Sequence, residues 1–380
     1  MTRWRTGNPH ATGASNLDGL ETVFVRMKAM AVALATVSCH VHAQSSVTLF
    51  GLVDNGISYV SNSGGKSLVQ AMSGIQAPNL LGIRTVEDLG GGFQALVFMA
   101  SQPDINSGTV RGGALSGRES YVGIVTPYGT VTLGRQFDYM FDNLSLHRWG
   151  HEISYVSLYQ LPGGPFSKLG AALGTFDYTR IAGGGATPNA VKFTSAYYGG
   201  FRFGALYGFS NIAGQTGSNN LSSFGVSYDN GPLRLDAAYT YSKEEGIDNG
   251  HLGIRNAGAG GRYTFGDFAL DALYVNTRNT LTGAHVDTYE IGGLYRFAPD
   301  FFAYANYLYA KGNRQLTGNH SNQAGITLDY LLSKKTDVYM SAVYQQASGG
   351  EDVIASVCGT FTASSGARQG VLRVGVRTVF

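Results

Sequence analysis

The chain ends in the stretch GVLRVGVRTVF, residues 370–380, in which two kinds of side chain alternate. One register is almost entirely apolar and holds Leu372, Val374, Val376, Thr378 and Phe380. The other register holds Arg373, Gly375, Arg377 and Val379. Because successive side chains of a β-strand point to opposite faces, the alternation predicts a strand with one apolar face and one face with two arginines. The question is then which of the two faces is in contact with water.

The same alternation recurs along the chain. In RLDAAYTYS, residues 234–242, Leu235 and Tyr239 share one face, whereas Arg234 and Asp236 share the other. The composition agrees, since 54 Gly, 23 Tyr and 20 Phe stand against 9 Pro and 14% charged residues. Such a composition favours short strands, tight turns and many aromatic side chains over helices. Counting the alternating runs predicts about sixteen strands.

The connections between these strands alternate in length. Short turns such as PYGT, NG and APD alternate with long polar segments at 62–78, 102–115, 137–188, 212–221 and 244–255. Short turns at one end and long loops at the other are typical of an outer-membrane barrel. We therefore predict an all-β fold, a 16-stranded antiparallel transmembrane β-barrel with the arginine face toward the lumen and the Phe380 face toward lipid.

Two soluble architectures compete with the barrel. A β-sandwich rarely contains so many long strands in simple meander order. A propeller would repeat similar blades every 40–50 residues or so, and the sequence shows no such recurrence. The barrel accounts for both faces of every strand, because one face meets lipid and the other meets a water-filled lumen.

The N-terminal residues resemble an export signal. Arg26 and Lys28 precede the apolar run AMAVALATV, and VHA at residues 41–43 offers the small residues that a signal peptidase reads. We predict a signal peptide over residues 1–43, with 1–26 as a misassigned start extension, and a barrel domain over 44–380. The run is too short for a transmembrane helix.

Charge and cysteine usage exclude several functions. Without residues 1–43, the chain has equal numbers of basic and acidic side chains, which gives no support to a nucleic-acid partner. Cys358 is the only cysteine of residues 44–380, so it has no internal disulfide partner, and we predict that it is an incidental thiol in a loop.

Several stretches resemble the general porins of Gram-negative outer membranes, most closely the β-proteobacterial, OmpC-like type. They are SSVTLFGLVDNGISY, EDLGGGFQA, GRESYVGIVTPYGTVTLGRQFD, NAVKFTSAYYGGFRFGALYGFSN and VGVRTVF, and together they span nearly all of residues 44–380. The resemblance implies a homotrimer, a terminal Phe380 read by the barrel-assembly machinery, contact with outer-membrane lipid and lipopolysaccharide, and a third loop folded into the lumen. Residues 137–188 form much the longest connection, as that third loop requires.

The resemblance also implies a charged constriction. Acidic residues of the third loop would face basic residues of the wall, and such opposed charges bias which ions pass. The candidates are Arg84, Arg118, Arg180, Asp142 and Glu152, and Arg135, of outward parity, is a candidate subunit contact. Two departures weaken the match: Leu80 stands where the family commonly has arginine, and HRWGHEISY, residues 147–155, replaces the usual acidic turn motif.

Further charges point to the lumen by alternation alone. They are Asp54, Arg202, Arg234, Asp236, Arg296, Arg373 and Arg377. Inward arginines outnumber inward acids, so the sequence predicts a weak anion preference. The predicted function is passive diffusion of small hydrophilic solutes and ions across the outer membrane.

The sequence shows no catalytic signature, and we predict neither an enzyme nor a cofactor nor a bound metal. HEISY lacks the second histidine of a zinc-protease helix, and no P-loop or G-x-S-x-G elbow is present. His147 and His151 have ligand spacing but lie in a Gly-containing loop. Two alternatives remain open: a sugar- or amino-acid-specific channel, for which Trp149, Tyr155 and Tyr159 are the only hint of an aromatic line, and a barrel adhesin.

Overall fold

The computed structural model describes residues 46–110, 113–150 and 155–380. The predicted signal peptide and Glu152 lie outside these residues. Seventeen strands occur within them: β1 (Ser46–Ser63), β2 (Lys66–Ser73), β3 (Leu80–Gly90), β4 (Phe93–Ser101), β5 (Glu119–Thr126), β6 (Gly129–Gln136), β7 (Thr187–Ser195), β8 (Phe201–Gly208), β9 (Leu221–Asn230), β10 (Leu233–Lys243), β11 (Gly253–Phe265), β12 (Phe268–Asn279), β13 (His285–Ala298), β14 (Phe301–Gly312), β15 (His320–Leu331), β16 (Thr336–Ser348) and β17 (Arg368–Val379).

Apart from β2 and β3, consecutive strands pair antiparallel, and β1 pairs with β17 to close the sheet. Strands β2 and β3 pair one after the other with the same edge of β1, over residues 55–63 and 46–52 respectively. They therefore share one position, and the barrel has sixteen positions, which confirms the predicted fold. The expectation of a long loop at 62–78 was wrong, because β1 turns tightly at Gly64 and Gly65 and continues as β2.

The two faces of the wall differ as the alternation predicts. On β17, Leu372, Val374 and Val376 are about half exposed, whereas Arg373 and Arg377 are buried. At the short-turn end, rings stack on the outer face between neighbouring strands, with Phe268 and Tyr295 at 4.2 Å between centroids. Rows of aromatic rings at this level are typical of the membrane interface. No helix among the described residues combines the length and apolar composition that crossing a membrane would require.

The chain end closes the barrel. Phe380 and Gly51 exchange two backbone hydrogen bonds of 3.1 and 3.2 Å across the seam between β1 and the end of the chain. The Phe380 ring covers Gly51 so closely that a Cβ at position 51 would lie 2.0 Å from it. The ring itself is 56% exposed on the outer face, so Gly51 is the notch into which the terminal aromatic packs.

The residues between β6 and β7, 137–186, form the third connection. Its helical turns include Tyr139–Phe141 (α), Asp142–His147 (π), Leu158–Gln160 and Ser167–Leu169 (both 3₁₀); elsewhere in the described part of the chain, Asp248–Gly250 and Arg314–Leu316 are 3₁₀ turns. Inner-face side chains that bond to its described residues include, from β1, β10, β11, β14 and β15, Ser58, Asp236, Asn256, Asn306 and Gln323. A segment that touches the same face of strands so far apart around a closed barrel lies against the inside of its wall.

The connection between β16 and β17, residues 349–367, also packs inward. Val357 and Cys358 are buried, and the Cys358 thiol donates to the Phe176 carbonyl of the third connection over 3.1 Å. Ser356 and Val357 are held by Gln345 and Gln369 of the wall strands. The alternation pattern did not reveal this inward packing, and Cys358, expected as an incidental loop thiol, lies in the connection as a buried packing residue.

Candidate functional site

A cavity of about 600 Å³ separates the third connection from the inner faces of β4 to β10. The connection contributes Tyr139, Asp142 and His147 to its lining, and the wall contributes Glu119, Tyr121, Lys192, Arg202, Asp229 and Arg234 among others. These side chains are mostly polar or charged, as expected of a water-filled passage. The cavity is therefore the candidate path for solutes.

One ion pair spans the cavity edge between connection and wall. Asp142 of the connection contacts the Lys192 ammonium of β7, which also donates to the Phe137 carbonyl over 2.8 Å. Asp142 belongs to the set of constriction candidates, whereas Lys192 was missed. The alternation of NAVKFTS places Lys192 on the inner face, so the signal was present in the sequence.

A second charged group lies beside the first. His147 of the connection is 2.9 Å from a carboxylate oxygen of Asp236 on β10 and 3.9 Å from Asp229 on β9. Arg234 lies 3.3 Å from Asp229. Asp236 and Arg234 therefore lie on the inner face, and His147 serves here as a polar contact to the wall. Among the described residues no group of three or more potential metal ligands converges.

The stretch that departs from the family pattern anchors the connection. Arg148 is 1% exposed and lies 2.8 Å from Asp271 on β12 and 3.2 Å from Glu290 on β13. Trp149 is equally buried, and its ring meets that of Tyr304 edge-on at 4.8 Å. Two acids opposite one arginine in a water-poor position make this contact highly sensitive to loss of the cation.

A separate network holds the far side of the connection. Arg373 of β17 is fully buried and contacts Asp54 on β1, the Tyr339 hydroxyl on β16 and Ser58. Ser58 in turn lies 2.8 Å from the Tyr159 hydroxyl of the connection. Asp54 also accepts bonds from the backbone N–H groups of residues 75 and 76, at 2.7 and 2.9 Å. Asp54 of β1 and Arg373 of β17, both predicted to point inward, thus belong to one buried polar network, the Asp54–Arg373 network.

The remaining candidates occupy different places. Arg180 forms an ion pair with Asp138 at 2.6 Å, so its charge is engaged within the third connection. Arg118 donates to Gln102 and its guanidinium lies 4.9 Å from the centre of the Phe137 ring, at the base of the connection. Arg135 donates to the Gly117 carbonyl over 2.7 Å. Arg377 lies between Asp329 and Asp337, at 3.3 and 2.8 Å.

Arg84, Arg202 and Arg296 are inner-face arginines with no acidic side chain within 4 Å among the described residues. Arg84 is exposed on β3, Arg202 lies over the Tyr197 ring, and Arg296 lies over the Phe302 ring. These cations, unlike Arg148, Arg373 and Arg377, present uncompensated charge to the lumen.

The aromatic line suggested on the third connection is not available to a solute. Trp149 and Tyr159 are at most 1% exposed, and the half-buried Tyr155 stacks its ring on that of Phe302 at 4.6 Å. A different row exists on the wall, where Phe98 of β4 stacks on Phe50 at 5.4 Å and on Tyr121 at 5.2 Å. Tyr121 is also part of the cavity lining.

One buried carboxyl group of the third connection, that of Asp177, should make the free energy of unfolding depend on pH. Burial raises the pKa of Asp177 from 3.8 to about 6, although the N–H groups of Ala182 and Gly184 donate to it at 2.9 and 2.7 Å. The folded connection therefore binds a proton more tightly than the unfolded chain, so the free energy of unfolding falls as pH rises from about 4 to about 6. One pKa unit is about 1.4 kcal/mol, so ionisation costs about 3 kcal/mol.

Asp177→Asn removes this cost. We expect the variant to exceed the wild type in free energy of unfolding at pH 7.5 and to lose most of that advantage at pH 5 or below. Urea titration of the folded barrel in detergent at a series of pH values measures the difference. Parallel curves for the two proteins would contradict a role for this carboxyl.

Comparisons with known proteins agree with this geometry. A family model for the Gram-negative porin matches residues 29–350. Outer membrane porin protein 32 of Delftia acidovorans is 27% identical over 379 residues, which cover 93% of this chain and 100% of the relative. The solved anion-selective porin from Comamonas acidovorans superposes with a TM-score of 0.73 at 22% identity, over 89% of this chain and 100% of that one. OmpT of Vibrio cholerae in its trimer form gives a TM-score of 0.63 at 16% identity, over 88% and 99%.

The family match covers far more than half of the chain, and the barrel, its alternating faces and its polar inner cavity are the structural features of an outer-membrane channel. The chain therefore belongs to the Gram-negative porin family and is a protein of the bacterial outer membrane.

Proposed function

We propose that the protein is a general diffusion porin that lets small hydrophilic solutes and ions cross the outer membrane passively, with a weak preference for anions. The supporting observation is the polar cavity between the third connection and the wall, which is lined by charges of both signs. The proposed function requires no catalytic residue, cofactor or metal.

In this proposal the third connection, 137–188 by the sequence boundaries, is the constriction. Asp142 and His147 from the connection, and Lys192 and Arg202 from the wall, line the narrow side. Of the original candidates, Asp142 lies in this lining, and Arg84 belongs to the open wall. Arg118 and Arg180 support the base of the connection.

The anion preference rests on the uncompensated arginines. Inner-face acids such as Asp54, Asp271 and Asp337 are bound to arginines and add little free negative charge. Arg84, Arg202 and Arg296 therefore bias the lumen toward anions. The solved neighbour from Comamonas acidovorans is described as anion-selective, which agrees with this direction.

Single-channel conductance of the refolded barrel in a planar bilayer tests the function. We expect large ohmic steps in groups of three, and under a salt gradient a reversal potential of the sign given by anion preference. A clear cation preference would overturn the anion preference, and a correctly folded barrel that conducts no ions would overturn the porin function itself.

Arg84→Glu tests the source of selectivity. An ion that passes 4 Å from a unit charge in water changes in energy by about 1 kcal/mol, which is about fivefold in local concentration. Reversing the charge should therefore shift the reversal potential clearly toward cation preference at low salt and less at high salt. The matched control is Lys335→Glu in the exposed turn between β15 and β16, which should leave the reversal potential unchanged.

A substrate-specific channel is the second candidate. The stacked row of Phe50, Phe98 and Tyr121 on the wall is the observation that favours it. Specific solutes would then block the conductance at low concentration, and Phe98→Ala would relieve the block. A general porin gives no such block by sugars or amino acids.

The proposed partners are two further copies of the chain, the barrel-assembly machinery and lipopolysaccharide. The trimer form of the Vibrio cholerae neighbour supports the homotrimer, with Arg135 as a candidate subunit contact. Phe380, exposed at the end of the last strand, is accessible as an assembly signal.

A further inference from the structure

The outer face of β10 to β15 has a polar band beyond its aromatic rows. Tyr274, Tyr289 and Tyr309 lie side by side on β12, β13 and β14, with centroids 5.1 and 6.5 Å apart. Further along the same strands, toward the long connections, the outward side chains become basic. The band consists of Lys243, Arg255, Arg278, His285, Lys311 and His320.

Two arginines of this band stand directly opposite each other. Arg255 of β11 and Arg278 of β12 are partners in the strand register, and both share the outward face with Tyr274. Neither has an acidic side chain within 4 Å among the described residues, and the Arg255 Nε is buried without a hydrogen-bond acceptor. Like charges opposite each other destabilise a sheet, so the pair needs an anion between its guanidinium groups.

The acidic residue nearest to Arg278 in the strand register already has other partners. Asp287 of β13 lies diagonally from Arg278 and accepts bonds from the Tyr274 hydroxyl and the Asn276 amide, both at 2.8 Å. It is also 3.7 Å from the His285 ring. Asp287 therefore neutralises its own neighbours and leaves the two arginines without a counter-ion.

The position of the pair decides which anion reaches it. The face points away from the lumen, so solutes in transit do not meet it. It lies beyond the tyrosine row on the side of the long connections, which is the outer leaflet in outer-membrane barrels. Below Arg255 the outward residues of β11 are Ala257 and Ala259, whose small side chains leave room for an acyl chain along the wall.

We propose that Arg255 and Arg278 form a binding site for a phosphate group of an outer-leaflet glycolipid, lipopolysaccharide. This inference rests on the proposed lipopolysaccharide partnership and assigns residues to it. Two guanidinium forks bind a phosphate dianion through parallel hydrogen bonds, and they satisfy the free Nε at the same time. His285 and Lys311 extend the positive potential along the headgroup.

The test uses the full refolded barrel in detergent. Native mass spectrometry and the thermal midpoint are measured with lipopolysaccharide, with lipopolysaccharide stripped of phosphate, and with inorganic phosphate. We expect stabilisation by intact lipopolysaccharide only, and binding about tenfold or more weaker in Arg255→Gln/Arg278→Gln, since each lost bond is charge-assisted. Lys334→Gln/Lys335→Gln removes the same charge at the short-turn end and should bind like the wild type.

A second variant guards against misfolding. Arg278→Glu places a carboxylate opposite Arg255, so it should fold at least as well as the wild type without lipid and still lose the lipid response. Equal stabilisation by dephosphorylated lipid or by inorganic phosphate, or full lipid binding by Arg278→Glu, would overturn the site. Conductance should be unchanged in every variant, so failure of the lipid site is distinct from failure of the porin function.

Discussion

Arg148→Met should release the third connection from the wall and enlarge the channel. The substitution removes the arginine that pairs with the buried Asp271 and Glu290, and breaking a buried ion pair on one side costs about 3–5 kcal/mol. The wall strands retain their own pairing, so the loss falls on the docked connection. We expect larger and noisier conductance steps than in the wild type.

Trp149 offers a direct optical readout of this event. It is the only tryptophan of residues 44–380 and is buried beside Arg148. Release of the connection should shift its fluorescence to the red while far-ultraviolet circular dichroism, which reports the wall, stays unchanged. Lys168→Met is the control, because Lys168 belongs to the same connection but pairs with Glu351 and Asp352 at the surface.

The charge argument has its own test. If uncompensated acids cause the effect, then Arg148→Met combined with Asp271→Asn and Glu290→Gln should recover much of the docking. Unchanged fluorescence and conductance in the single variant would mean that Arg148 does not anchor the connection.

Asp54→Ala should weaken the barrel at its closing seam. The carboxylate binds Arg373, the Tyr339 hydroxyl and two backbone N–H groups, and all of these groups are buried. Removing it leaves a buried arginine without a counter-ion, at a cost of about 3–5 kcal/mol. We expect the urea midpoint to fall when it is followed by either fluorescence or circular dichroism, because the Asp54–Arg373 network joins β1, β16 and β17. In Arg148→Met, by contrast, the circular dichroism should not change.

Two further variants, one expected to restore stability and one serving as a control, test the Asp54 result. Adding Arg373→Met to Asp54→Ala should restore part of the stability, since the unpaired charge is then absent. Asp88→Ala removes an exposed carboxylate of β3 and should leave the midpoint within error of the wild type. A urea midpoint for Asp54→Ala equal to that of Asp88→Ala would contradict the proposal that the Asp54–Arg373 network stabilises the closing seam.

The wall was largely predictable because its rule is local. Apolar and polar side chains must alternate along a strand that has lipid on one side and water on the other. The faces of residues such as Arg373 and Leu372 can therefore be predicted without knowledge of any distant residue. The prediction failed at β2, where KSLVQAMS lacks a clean alternation of polar and apolar residues and most of its residues are exposed. Residues 349–367 were missed for a similar reason, since their burial depends on contacts with the third connection.

The sequence by itself determined the barrel, its sixteen strand positions and the length of the third connection. Only the tertiary structure decided which inward charges remain free. Arg84 and Arg373 look alike in the alternation, yet Arg84 is exposed and Arg373 is buried against Asp54. Likewise Arg148 finds its acids 123 and 142 residues away. Such pairings depend on closure of the sheet and docking of a loop, which bring distant residues together and which no local pattern encodes.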